Sequence, residues 1–145
     1  MKQWKVLLAL FFTFCYLPLA LAKAPITGIW TTIDDVSGKK RALVELRVSG
    51  DILTGTIIKI YSQAGDTGIC SKCPGAFKNK PIQGLQFVWD LKRKSDDQWT
   101  DGHILDPKTG KVYRAKMTLN KNGTELQVRA YVGLSIFGRS QTWVR

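Results

Sequence analysis

The sequence predicts an all-β fold, an eight-stranded up-and-down antiparallel barrel, and three observations lead there. From residue 28 onward apolar and polar residues alternate with period two, and the apolar positions are rich in β-branched and aromatic side chains. Clusters of Gly, Asn, Asp and Pro break that alternation at roughly ten-residue intervals, the spacing of many short strands. No stretch beyond residue 28 repeats with the period of a helix long enough to cover a sheet.

Strands are expected near residues 28–33, 41–48, 52–61, 85–92, 98–105, 112–119, 124–131 and 139–144. Several show one apolar face. Ala42, Val44, Leu46 and Val48 alternate with Leu43, Glu45 and Arg47; Leu85, Phe87, Trp89 and Leu91 alternate with Gln86, Val88 and Asp90; Tyr113, Ala115, Met117 and Leu119 alternate with Arg114, Lys116 and Thr118. In each set the first-named residues are assigned to the interior. Ser49-Gly50-Asp51, the run Asp106 to Gly110 and Asn120-Lys121-Asn122-Gly123 are hairpin turns, in which Asp or Asn side chains brace the chain and Gly accepts positive φ. Eight strands joined by hairpins leave open edges unless the sheet closes on itself, and closure at this number gives an interior that holds side chains or one small ligand. A two-sheet sandwich shares the strand count and turn spacing and is the competing architecture. The segment 62–80 departs from the regular spacing and is expected to cross one end of the barrel as an ordered loop.

Before the strands comes an export signal. Lys2 and Lys5 precede an apolar run from Val6 to Leu21, which ends in Ala20-Leu21-Ala22. A basic start, a short apolar stretch and an Ala-x-Ala site define a secretory leader, here residues 1–22. A membrane anchor would need about 20 apolar residues, and this run is shorter and carries Pro18 near its end. Cleavage after Ala24 is the other option and would leave Pro25 at the new terminus. Cutting after Ala22 leaves residues 23–145 as a single domain, periplasmic or secreted, and removes Cys15.

The 145-residue chain carries a formal net charge of +11, of which Lys2 and Lys5 depart with the leader. The remaining cations fall in separate groups, at Lys39-Lys40-Arg41, at Lys78 with Lys80, and at Lys92-Arg93-Lys94. No basic helix, aromatic RNA-binding signature or zinc-finger spacing accompanies them, so nucleic acid is not an expected partner. Weak attraction to anionic envelope components, lipid head groups or acidic polysaccharide, is a better use of the charge.

Gly28-Ile29-Trp30 near the start of the domain, with an Arg in the last strand, resembles the signature of lipocalins. The resemblance implies a barrel floor closed by a first-strand Trp under a basic side chain from the final strand, a part for Arg145 or Arg139. The whole domain also resembles a family of uncharacterised secreted bacterial proteins, domain of unknown function 2147. The residues carrying that match are Gly28-Ile29-Trp30, Lys80-Pro81-Ile82-Gln83-Gly84-Leu85, GHILDPKTGKVY over 102–113 and YVGLSIFGRSQTW over 131–143. This resemblance implies a lipocalin-like barrel and an envelope or secreted location, with no assigned reaction and no catalytic residues.

Few residues suggest chemistry. Cys70-Ser71-Lys72-Cys73 leaves three readings: a disulfide closing a tight loop in an oxidising compartment, a redox-active pair with Lys72 favouring a thiolate, or two ligands of a metal site that only His103 could extend. A thioredoxin-like motif begins a helix, whereas these cysteines sit in a Gly-rich loop followed by Pro74. His103 lies two residues after Asp101, so the two could share a strand face as an acid–base pair, or His103 could simply flank a hairpin. Asp34-Asp35 and Asp96-Asp97 fall in turns, and Glu45 and Glu125 in separate strands. The chain carries no G-x-S-x-G, phosphate loop or H-E-x-x-H, so neither enzyme chemistry nor a cofactor is expected.

The aromatic set is more suggestive. Trp30, Trp89, Trp99, Tyr113 and Trp143 all fall in expected strands. Trp30, Trp89, Tyr113 and Trp143 could form walls that grip a small apolar or amphipathic ligand, with Arg139 or Gln141 meeting its head group. The same residues could equally be the filling of a closed barrel. Residues 131–138 are nearly uncharged and contain Leu134, Ile136 and Phe137, a candidate lid or partner surface. Three functions follow: a binder of a small molecule in the barrel, a structural or interaction module of the envelope with a filled core, and a thiol-dependent redox protein using Cys70 and Cys73.

Overall fold

The computed structural model describes residues 25–145; the leader assigned to residues 1–22 lies outside the described residues. Among the described residues eight strands form, β1 Gly28–Ile33, β2 Lys40–Ser49, β3 Ile52–Ile60, β4 Gln86–Arg93, β5 Gln98–Asp106, β6 Lys111–Leu119, β7 Glu125–Tyr131 and β8 Gly138–Val144, with one short 3-10 turn at Gly75–Phe77. Each strand pairs antiparallel with the next, and β1 pairs with β8 through Thr31 opposite Val144 and Thr32 opposite Trp143. The sheet is therefore a closed barrel, as the turn chemistry predicts, and the two-sheet sandwich is excluded. Up-and-down order places the turns at 49–52, 94–97 and 120–124 at one end, the floor, together with Pro25 and Arg145. The connections at 34–39, 61–85, 107–110 and 132–137 leave from the other end, the mouth.

Residues paired across antiparallel strands share a face, so register identifies the interior. Trp30 opposes Val44, which opposes Ile57; Met117 opposes Trp99 on one side and Val128 on the other; Leu119, Leu126 and Trp143 form a third row. All of these are buried. The alternation in β2 and β6 thus faces the way the sequence indicates, with Tyr113 half-buried toward the mouth.

Strand β4 does not follow its assignment. Phe87 and Leu91 face inward as expected, but Val88 is fully buried and Trp89 is turned outward. Register shifts on the β3 side and a left-handed Asp90, φ 58°, mark a bulge that breaks strict alternation. Val88 takes the inward position opposite Gly55 and Ile104, and Trp89 pairs with His103 on the outer face. A matching irregularity in β5 has Asp101 at φ 59° and sets Gly102 against Leu91.

That contact explains the glycine, because a β-carbon at 102 would lie 2.6 Å from the Leu91 backbone nitrogen. Flexible side chains can retreat from such a clash and backbone cannot. Gly102→Ala should therefore lower stability by about 1–3 kcal/mol, the usual range for overpacking a dense core. Denaturant unfolding followed by tryptophan fluorescence checks this, and an unchanged midpoint would show that β4 and β5 can separate freely here.

Candidate functional site

At the floor, Trp30 is completely buried and its Nε1–H donates to the Ile26 carbonyl at 2.8 Å. The Arg145 guanidinium lies over its ring, 4.3 Å from the centroid. Arg145 also donates through Nε to the Gly123 carbonyl at 2.7 Å, through Nη1 to Thr27 at 3.1 Å and through Nη2 to Pro25 at 2.7 Å. Burial pulls its pKa below the ordinary guanidinium value, yet an arginine remains charged at any physiological pH. Of the two arginines open to this role, Arg145 closes the floor. Arg145→Ala removes both the ring contact and donors to three carbonyls, at a cost of roughly 2–4 kcal/mol in unfolding free energy. Arg145→Lys keeps the charge but not the planar fork, so its midpoint in denaturant should fall between those of the parent and Arg145→Ala.

Above the floor the barrel is filled. Trp99 and Trp143 are 0 % and 1 % exposed, and Leu53, Leu91, Met117 and Leu126 are buried to the same degree. Trp143 lies 5.9 Å from Phe87, centroid to centroid, and its Nε1–H donates to Gln141 Oε1 at 3.4 Å. Arg93 sits 4.4 Å from the Trp99 ring centroid, a second cationic cap at the floor end. The Trp99 Nε1–H is buried without a partner among the described residues.

Nearer the mouth the inward face opens. Ile104 opposes Tyr113, Ala115 opposes Ala130, and Ala130 opposes Arg139, so these residues and Gln141 share one inward-facing wall. Ile104, Tyr113, Ala130 and Gln141 are half-buried and Arg139 is exposed. Arg139 donates through Nε and Nη2 to both carboxylate oxygens of Asp35 in the β1–β2 connection. This pair ties β8 to β1 at the mouth, as Arg145 ties them at the floor.

Hydrogen bonds from Arg139 hold the Asp35 carboxyl below the usual carboxylate range, against the opposing effect of burial. A depressed folded pKa means stability that is present in full above the ordinary carboxylate pKa and lost as pH falls from there through the folded value. Asp35→Asn should accordingly be less stable than the parent at neutral pH, with the difference shrinking to nothing in acid. Unfolding midpoints measured across that range check it, and a pH-independent difference would mean that the charge contributes nothing.

The structure thus brings Tyr113, Arg139, Gln141 and Trp143 onto the inner wall of β6 and β8, with Trp30 deeper at the floor. Trp89 does not join them. It lies outside, stacked between Phe77 at 5.4 Å and His103 at 5.5 Å. Phe77 belongs to the long β3–β4 segment, which covers this indole on the outer side of β4 and β5. The same segment also meets the mouth, where Asp66 pairs with Arg41 of β2 and the Lys72 carbonyl approaches Gly110 of the β5–β6 turn. No periodicity in 62–80 announces Phe77, so sequence reasoning misses it.

Cys70 and Cys73 form a disulfide within this segment, the first of the three readings. Both cysteines are buried, and each sulfur lies 3.9 Å from the Pro107 carbonyl oxygen of the β5–β6 turn. Cys70 N–H donates to Lys80 and its carbonyl accepts from Asn79 N–H, so the small loop is folded onto its own return. Gly110, at φ 74°, makes a close approach to the Lys72 carbonyl that leaves no room for a side chain. Asp101 and His103 do not form the acid–base pair that their spacing allows. The β5 bulge turns Asp101 toward Arg114, which donates to it at 3.2 Å, while His103 Nδ1 is buried without a partner. Among the described residues no three His, Cys, Asp or Glu side chains converge as a metal site would require.

A closed eight-stranded meander with a first-strand tryptophan capped by an arginine from the end of the last strand is a lipocalin-like barrel. The chain belongs to the family described as uncharacterized proteins conserved in bacteria, domain of unknown function 2147, whose model matches residues 28–145. Among solved structures it is similar to protein HP1028 from Helicobacter pylori, described as belonging to the lipocalin family. The two share 20 % identity over 85 % of this chain and 84 % of the other, with a TM-score of 0.73, a likeness of fold. No curated protein matches the chain.

Proposed function

We propose that the protein is exported, with residues 1–22 as a cleaved leader, and serves in the periplasm or outside the cell as a non-enzymatic interaction module built on a filled lipocalin-like barrel. The observation that carries this reading is the occupancy of the interior by Trp30, Trp99 and Trp143, each at most 1 % exposed. A ligand entering to that depth would have to displace indoles that are packed, capped by Arg145 and Arg93, and costly to move. Partners are therefore met at the mouth or on the outer surface. The buried disulfide supports a structural role for Cys70 and Cys73 and gives no support to thiol chemistry, which needs an accessible sulfur.

A second reading is favoured by one feature, the half-open wall of Ile104, Tyr113 and Ala130 with Gln141 and Arg139 beside it. A small amphipathic molecule could lie there at the mouth, its apolar part on Tyr113 and its polar group on Arg139 released from Asp35. Native mass spectrometry of protein recovered from the envelope fraction of its own host separates the two. The filled module appears as a bare chain beginning at Lys23. A stoichiometric small molecule that is lost in Tyr113→Ala would replace the first reading by the second, and a chain that retains Met1 would remove the export step.

A further inference from the structure

We propose that one side of the barrel exterior docks on an anionic lipid bilayer, through the apolar β7–β8 hairpin and a lysine-lined groove beside it; this rests on the filled-module reading and names its partner. The hairpin at 132–137 has no charged residue, and Val132, Leu134, Ile136 and Phe137 are 65–72 % exposed. Scattered exposed apolar residues need no explanation, but a run of large ones on a single turn marks a contact surface.

This hairpin is held in shape. Arg129, on the outward face of β7, donates through Nε to the Ser135 carbonyl, through Nη2 to Ile136 at 3.1 Å and through Nη1 to Ser140 Oγ at 2.9 Å. Phe137 N–H donates back to Leu134 at 3.0 Å. The guanidinium pulls the loop back over the outside of the barrel and leaves the apolar side chains pointing away from it. They are presented to a partner with little further ordering to be done.

The same fold-back brings Ser135 to the rim of an open groove of about 590 Å³ on the outer face of β4 to β7. Lys92, Lys94 and Lys116 line it, with Tyr131 at the hairpin end. Its carboxylate, Asp101, is committed to Arg114. Lys92 and Lys116 have no ion-pair partner among the described residues, so their charge is available to an anion. Apolar tips therefore adjoin an unneutralised cationic floor on one side of the molecule.

Each half of that arrangement argues against a different partner. An acidic polysaccharide would satisfy the lysines but leave the exposed Leu, Ile and Phe in water. A second copy of the chain would cover the apolar hairpin but press like charges together on a protein that keeps a large excess of cations after Lys2 and Lys5 leave with the leader. An anionic bilayer suits both, because the side chains of the tip enter the interfacial region while lysines meet phosphate groups.

The test uses the processed chain, whose barrel is complete in residues 25–145, so that the leader contributes no membrane affinity. Co-sedimentation is measured with phosphatidylcholine vesicles and with vesicles containing phosphatidylglycerol. Binding is expected only to the second, and it should weaken as salt is raised. Replacing Lys92, Lys94 and Lys116 by Gln should lower affinity by about fivefold for each lysine. Replacing Leu134, Ile136 and Phe137 by Ser should lower it at least tenfold or so, from the loss of apolar burial alone. Both variants alter exposed positions and should unfold at the parent's midpoint, which separates lost docking from lost folding.

Three outcomes overturn the proposal: equal binding to both vesicle types, binding that survives the hairpin variant and is competed by dextran sulfate, and no vesicle binding at all. The last of these, beside a bare chain in native mass spectrometry, leaves the filled-barrel reading standing. A stoichiometric ligand in that spectrum defeats the filled-barrel reading whatever the vesicles show.

Discussion

The barrel depends on the seam between β1 and β8, where only Thr31 with Val144 and Thr32 with Trp143 hold register. Elsewhere neighbouring strands follow one another in the chain, and every such pair except β3 and β4 is joined by a short turn. At the seam no turn connects the strands, and the closing contacts join residues more than a hundred positions apart, so their ordering entropy must be offset by something stronger than a short ladder. Two arginines at opposite ends of the last strand supply it. Arg145 gathers carbonyls from Pro25, Thr27 and Gly123 and covers Trp30, while Arg139 grips Asp35 across the mouth. The floor clamp is the more consequential, because it is partly desolvated and seals the indole at the base of the core. The mouth pair is wetter, and solvent screens it.

Closure fixes what the rest of the chain can do. Once the sheet has no edge, its inward residues either leave a cavity or fill it, and here three tryptophans with Met117 and a set of leucines fill it to the floor. The bulges at Asp90 and Asp101 then have an outward consequence. By advancing Val88 into the interior they free Trp89 to face out, where Phe77 and the disulfide-bearing segment cover it. A satellite core forms on the outer side of β4 and β5, and the long connection joins it to the mouth through Asp66 on Arg41 and Lys72 beside Gly110.

Much of this architecture is legible in the residues because the physics is local. The alternation in β2 and β6 and the hairpin turns at 49–51, 106–110 and 120–123 act within a few positions of themselves, and the observed strands start and stop within a residue or so of where those signals put them. What escapes is non-local. By residue type Arg139 and Arg145 suit a cationic cap over Trp30 equally well, and only closure of the whole eight-stranded meander, which sets the end of β8 beside the start of β1, selects Arg145. The reversal of Trp89 depends on register against both β3 and β5, since no side chain in Phe87 to Leu91 signals a bulge. The partnership of Phe77 with Trp89 joins a loop to a strand face that the sequence assigns to the interior, so neither half of that contact could be read from the chain alone.

The seam and the filled interior are the physical basis on which an outward-facing function is proposed. A lipocalin-type interior becomes a binding site only if its lining stops short of the middle, and a protein that must keep a thin seam shut gains from packing its centre tightly. Every inward indole that steadies the closure also removes volume from a cavity. The surface is under no such constraint. Arg129 shows the contrast: it belongs to the same strand as buried Leu126 and Val128, yet it points outward and spends its donors on shaping the β7–β8 hairpin rather than the core. The three acceptors of Arg129 fix the hairpin backbone while Leu134, Ile136 and Phe137 stay exposed, and the proposed docking surface is built on that combination.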